Sequence, residues 1–247
     1  MLCRVVQGLL LHDYYGALLY EKPPAGFNGK SRQTLAVAKR LEDVLGANNV
    51  PLALSRAPFE REVGTCRDYA LMLCSMLCHK GRAARVRCGF ASYFGAGRHE
   101  DHWICEVWLT KARCWAQVDP QLDPAHCTHL GIGFDTTDMP TGAFVTGVEA
   151  WQRCRHGENP EAWGKSDAAG LWFVEVNLAR DVLSLCHCEC SDWDNWRDAS
   201  PEHREPDEER LVAGDLLAEQ WRAWVKAAPG CVAPVSARHR PGNPAWF

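Results

Sequence analysis

The stretch Gly64-Thr65-Cys66-Arg67-Asp68-Tyr69-Ala70-Leu71-Met72-Leu73-Cys74-Ser75-Met76-Leu77-Cys78-His79, closed by Gly81, decides the fold. Positions 69 to 74 and 76 to 78 are all apolar, so a helix over 66–79 is greasy around most of its circumference. Such a helix belongs inside a core rather than on a surface. Its first residue is a cysteine. The free N–H groups and the dipole at a helix start favour thiolate over thiol. Gly64 lets a substrate backbone come close, and the Cys66 N–H is placed to face a developing oxyanion. Asp68, in the first turn, is expected to accept hydrogen bonds from backbone N–H groups.

A cysteine nucleophile needs a base, and the base needs a third group to orient it. Ala84, Val86, Cys88 and Phe90 alternate with Arg85 and Arg87, the period of a half-buried strand. After a turn at Gly95–Gly97, His102 to Leu109 alternates in the same way, and a loop at Thr110–Arg113 leads into a strand over Cys114–Val118. If Leu109 pairs with Cys114, Asp119 falls opposite Ile104 and His102 is its diagonal neighbour. Such neighbours lie roughly 7–8 Å apart at Cα, within reach of an Asp–His hydrogen bond. Cys66 is therefore the expected nucleophile, His102 its base and Asp119 the orienting residue. Gln117 and Asp123 are the alternatives for the third role.

Gly64-Thr65-Cys66-Arg67-Asp68-Tyr69-Ala70, then Asp101-His102-Trp103 and Val118-Asp119-Pro120, resemble the transglutaminase-like superfamily. The fuller runs Glu100 to Glu106 and Val118 to Asp123, with Ala150-Trp151-Gln152 and Gly170-Leu171-Trp172-Phe173 downstream, look like a bacterial branch of it. The resemblance implies an α+β papain-type fold with a Cys–His–Asp triad in that chain order. The nucleophile helix would pack on an antiparallel sheet, with extra helices at both ends. It also implies acyl transfer that forms or breaks an amide, ester or thioester bond through a thioester on Cys66. The acyl substrate would be small, peptidic or carrier-bound. Hydrolysis by a peptidase or amidase is the alternative chemistry, and a non-catalytic interaction module on the same fold is the competing class. Gly64, Thr65, Trp103 and Gln121 are candidate substrate-binding or oxyanion residues; of the other tryptophans, only Trp108 is near enough to line a cleft.

The remaining pattern predicts helices over 5–19, from a Ser31 cap to about Leu45, over 144–154, 171–185 and 211–226. In the second of these, Leu35, Ala38, Leu41 and Leu45 form the apolar stripe. Asn48 to Pro58 reads as a loop, Ser200 to Arg210 as a charged exposed segment, and the chain from Pro229 as a loose tail. One domain is expected over 1–228, with its catalytic core at about 31–125.

Among 247 residues, nearly half apolar with eleven Trp, a sizeable core is affordable. The net charge of −4 is mild and no basic stripe occurs, which argues against nucleic acid or an anionic membrane as partner. No apolar run approaches the roughly 20 residues that span a bilayer. Thirteen cysteines, an odd number, together with an opening stretch broken by His12 and Asp13, point to a reducing, cytoplasmic compartment. Most of these cysteines should act as small buried hydrophobes, Cys74 and Cys78 included. Cys186-His187-Cys188-Glu189-Cys190 lacks a second ligand pair at zinc spacing, and His99-Glu100-Asp101 reads as a solvated loop. No metal and no cofactor are expected.

Overall fold

The computed structural model describes residues 1–20, 34–95, 97–166, 168–194 and 204–230. In chain order the elements begin with α1 (Leu2–Leu9), β1 (Leu10–His12), α2 (Tyr15–Leu19), α3 (Val37–Ala47), β2 (Glu62–Gly64) and α4 (Cys66–His79). Strands β3 (Ala84–Ala91), β4 (His99–Leu109) and β5 (Cys114–Val118) follow, then α5 (Pro124–Leu130), β6 (Phe144–Thr146) and α6 (Gly147–Arg155). Strands β7 (Trp163–Lys165) and β8 (Ala168–Ala169) precede α7 (Leu171–Leu185) and α8 (Glu208–Val225). The fold is α+β, as its resemblance implies. Its main sheet has the order β6-β3-β4-β7-β8 with β5 paired to β4, and β1 and β2 form a separate ribbon. The sheet is mixed rather than wholly antiparallel, because β7 lies parallel to β4 with His99 opposite Trp163. The chain reaches β7 only after α5, β6 and α6, a connection long enough to bring a strand back in the same direction.

Two compact units divide the chain. The first comprises Met1–Arg85, Ile104–Val107 and Ala116–Pro140. At its centre α4, which buries Tyr69, Ala70, Met72 and Leu73, packs on α1, which buries Val6 and Leu9, and on α3, which buries Val44. The Tyr69 hydroxyl donates to the Leu10 carbonyl at 2.9 Å. The expected helix over 5–19 is interrupted: Leu10–His12 leaves it to run parallel to Glu62–Gly64. That pairing spans more than fifty residues, so no local pattern announces it. The second helix also departs from expectation. Its buried positions are Arg40 and Val44, while Leu35 and Leu45 are exposed. A buried arginine has turned the stripe, for a reason found beside Cys66. Ser31, its expected cap, lies outside the described residues.

The second unit comprises Val86–Trp103, Trp108–Trp115 and Thr141–Phe247. Its core joins Trp151, Trp163, Trp172, Phe173 and Trp221. Every residue of α7 after Leu171 is buried, the polar Glu175, Asn177, Arg180, Asp181 and Ser184 among them. Gly147 permits α6 to pass close to α7, since a Cβ there would stand 2.2 Å from the Asn177 carbonyl oxygen. Residues 144–146, expected to start a helix, pair instead with Gly89–Ala91 as a strand. The tail beyond Gly230 and most of the 200–210 segment's first half lie outside the described residues.

Strand β3 was expected to be half-buried, yet all eight of its residues are buried. Its arginines are accommodated because each meets a carboxylate. In the first unit Arg85 Nε donates to Glu106 Oε2 at 2.7 Å. In the second, Arg87 donates Nε and Nη2 to the two oxygens of Asp181, both at 2.8 Å, with both side chains fully buried. The same carboxylate accepts the Cys88 and Val148 N–H groups at 3.3 Å. Asp181→Ala should therefore cost about 3–5 kcal/mol in denaturant unfolding, because it strands a buried guanidinium and two N–H groups. A loss under about 1 kcal/mol would refute this.

Candidate active site

Cys66 is the first residue of α4 and only 6% exposed. Thr65 caps the helix in extended backbone, and its N–H donates to Asp68 Oδ2 at 2.9 Å. Asp68 thus takes the role the sequence predicts for it. Two guanidiniums face this carboxylate, Arg40 at 2.9 Å and Arg67 at 3.5 Å, all three side chains being buried. Burial raises the Asp68 pKa, against the pull of Arg40, the Thr65 N–H and Arg67. Arg40 also donates to the carbonyls of Val63 at 2.6 Å and Thr34 at 3.3 Å, while Arg67 reaches that of Leu35 at 3.1 Å. Gly64 has a structural reason besides the expected catalytic one: a Cβ there would lie 3.0 Å from Asp68 Cβ and Oδ2.

Sequence reasoning missed the strand beside this helix start. The β1–β2 register sets His12 opposite Gly64, and the Asp13 N–H donates to the Gly64 carbonyl at 3.0 Å. His12 is buried, with Nδ1 3.2 Å from the Tyr14 N–H nitrogen and 3.1 Å from Asp13 Oδ1. Tyr15 packs edge-on against both His12 and His126, at 5.2 and 5.1 Å between centroids. Nothing in the local sequence distinguishes His12 from a surface histidine; only the parallel pairing gives it this place.

Asp119 follows β5 and is fully buried. Its Oδ1 accepts the Gln121 N–H at 2.9 Å, and its own N–H donates to the Thr136 carbonyl at 2.8 Å. Gln7 on α1 clamps the same loop, donating from Nε2 to the carbonyls of Pro120 at 3.1 Å and Leu122 at 3.3 Å. Gln121 is buried, and its Oε1 has no hydrogen-bond partner among the described residues. Asp123, an alternative for the orienting role, has both oxygens engaged elsewhere. Oδ1 meets His126 Nδ1 at 2.8 Å and Oδ2 accepts the Tyr20 hydroxyl at 2.5 Å.

His102 belongs to the second unit, on β4, and is 2% exposed. Its ring lies among Phe94, Tyr93 and Phe144, with centroids at 4.8, 5.9 and 6.5 Å. Trp103 beside it is buried, with no hydrogen-bond partner for its indole N–H among the described residues. Trp108 packs edge-on against Trp115 at 5.3 Å. His99 stacks on Trp163 at 4.0 Å, and Asp101 faces Arg180 at 3.7 Å, so these two are drawn into packing and charge pairing. Burial pushes the Cys186 thiol up to about 11 and holds it protonated. Among the described residues, no three His, Cys, Asp or Glu side chains are grouped as a metal ion would need.

The Asp123 cluster gives a pH signature. Burial pushes its carboxyl up, but the hydrogen bonds from His126 and Tyr20 outweigh burial and bring the pKa down to about 2. A carboxylate with a depressed folded pKa stabilises the protein above its unfolded pKa of about 4, and that stability fades as pH falls towards 2. Asp123→Ala should cost about 1–2 kcal/mol near neutral pH. The gap between variant and parent in denaturant melts should narrow steadily from pH 4 to pH 2. A gap that stays constant over that range would show that the carboxylate's charge plays no part.

No curated protein and no solved structure matches the chain significantly. The family model described as "Transglutaminase-like superfamily" matches residues 34–120, a segment that holds Cys66, His102 and Asp119. The capped cysteine at the buried start of α4, followed in the chain by the sheet strands, sits inside that segment. Over residues 34–120 the chain is therefore similar to the transglutaminase-like superfamily.

Proposed function

We propose that this chain is a cysteine-dependent acyl-transfer enzyme. Cys66 is the nucleophile, His102 the general base and Asp119 the residue that orients His102. The observation that carries the reading is the position of Cys66: first residue of a helix whose opening turn is buried, two residues after Gly64, with its cap held by Asp68. There the helix dipole favours the thiolate.

The Cys66 sulfur attacks the carbonyl carbon of an amide, ester or thioester. The oxyanion turns towards the Cys66 N–H. When the intermediate collapses, the bond to the leaving group breaks and His102 delivers a proton to that group, leaving an acyl thioester on Cys66. An amine then attacks the thioester carbonyl while His102 takes its proton, and the thiolate is released with a new amide bond. Water in the amine's place makes the same machinery a peptidase or amidase. Gly64, Thr65, Trp103 and Gln121 are assigned to the acyl substrate and its oxyanion. Asp119, fully buried, keeps the imidazole in the tautomer whose free nitrogen serves the sulfur.

Cys66→Ala should abolish turnover while leaving the circular dichroism spectrum and melting temperature near those of the parent. Retained activity on any acyl substrate would remove Cys66 from the mechanism. Asp119→Asn should lower turnover by roughly 10–10³-fold, less than in a serine triad because a thiolate–imidazolium pair needs less help. Iodoacetamide labelling of Cys66 should also move to higher pH in that variant; an unchanged labelling profile would count against Asp119. Hydroxylamine supplied with the acyl donor separates the chemistries: acyl hydroxamate marks transfer, free acid alone marks hydrolysis.

A further inference from the structure

The first unit contains a cleft of about 1340 Å³, larger than the roughly 300–1,000 Å³ of ordinary ligand pockets. Helix α1 and the middle and end of α4 wall it, with segments at 52–55, 122–127 and 134–137. Neither Gly64, Thr65 nor Cys66 lines it, so it is a separate place on this unit. Its walls include Val5, Met76, Leu122 and Phe134. Cys3 and Cys127 add to them as neutral thiols, since burial raises the pKa of both. The lining is thus mostly apolar, and the volume has room for a long alkyl chain.

The charges around it are one-sided. Arg4, His79 and Lys80 line the cleft, all exposed, and among the described residues none of their side chains has an ion-pair partner. The dipole at the end of α4 gives His79 and Lys80 a reason to be there. Arg4 lies on α1 and has no such reason. The one carboxylate in the lining, Asp135, is already engaged by the Thr137 N–H at 2.8 Å and hydroxyl at 2.7 Å. An apolar trough with unmatched cations fits a molecule with a long alkyl tail and an anionic end.

We propose that this cleft binds an acyl chain carrying a negatively charged end group, its tail along Val5, Met76, Leu122 and Phe134 and its anion at Arg4 and Lys80. The proposal stands on this cleft alone and does not depend on the roles given to Cys66, His102 and Asp119. Two features tie a ligand here to the Asp119 loop. Gln7, which lines the cleft, holds the Pro120 and Leu122 carbonyls, and Thr136, also in the lining, accepts the Asp119 N–H.

Isothermal titration of the full chain with laurate, dodecanol and dodecylamine, each below its aggregation concentration, tests this. Laurate should bind at least about tenfold tighter than dodecanol, the scale of one charge-assisted contact, and dodecylamine should bind weakest. Arg4→Glu with Lys80→Glu should remove that preference while leaving the melting temperature unchanged, since both residues are exposed. Should the double glutamate variant fail to fold, Arg4→Ala with Lys80→Ala is read instead. Met76→Trp, which fills the trough, should weaken all three ligands together. The proposal is overturned if laurate shows no binding up to its solubility limit. It is also overturned if the three ligands bind equally, or if the charge variants keep the parent's preference for laurate.

Discussion

A helix that starts inside a protein has N–H groups that water cannot reach, and in the first unit Asp68 is the answer to that constraint. Its carboxylate takes the Thr65 N–H, which fixes where α4 begins and so where Cys66 stands. A buried carboxylate must itself be matched, and Arg40 and Arg67 do so. Arg40 then reaches the Val63 and Thr34 carbonyls, tying α3 and β2 to the same point. With Gly64 leaving room for Asp68, and β1 laid along β2, the surroundings of Cys66 follow from a single charge.

The second unit uses the same device. Asp181 on α7 gathers a fully buried arginine and two backbone N–H groups from β3 and the start of α6. Glu175 on the same helix pairs with Arg210 of α8. Burying such pairs costs about as much desolvation as their attraction returns, so they add little net stability over well-packed apolar residues. What they do is forbid alternatives: a slip of α7 against β3 would leave charges unmatched in a medium that cannot solvate them. An almost wholly buried helix is thereby held in one position by its charged residues.

Residues 34–120, the segment similar to the transglutaminase-like superfamily, hold every residue proposed for bond making and breaking, while α1 and α5 to α8 lie outside it. In the first unit Gln7, a residue of α1, clamps the loop that carries Asp119. No helix among the described residues is long and apolar enough to cross a membrane.

The sequence by itself determined the elements that local forces decide. The apolar run from Tyr69 with its Gly81 stop marked α4 to the residue, β5 and the 102–109 part of β4 were legible as strands, and α7 kept the limits its pattern set. By contrast His99–Asp101, read as a solvated loop, begins β4, and residues 102–106 are buried without alternation. Cys66 at a helix start and Asp68 beneath its cap were legible for the same reason: capping is a matter of three or four neighbouring residues. Only the tertiary structure decided that Leu10–His12 is a strand, that Phe144–Thr146 is another, and that β7 joins the sheet in parallel. It also turned α3 to bury Arg40 and sank Arg85 and Arg87 of an apparently half-exposed strand. In each case the partner lies from about twenty to ninety residues away. Strand pairing and charge burial are worth nothing until that partner arrives, so the local pattern carries no trace of either.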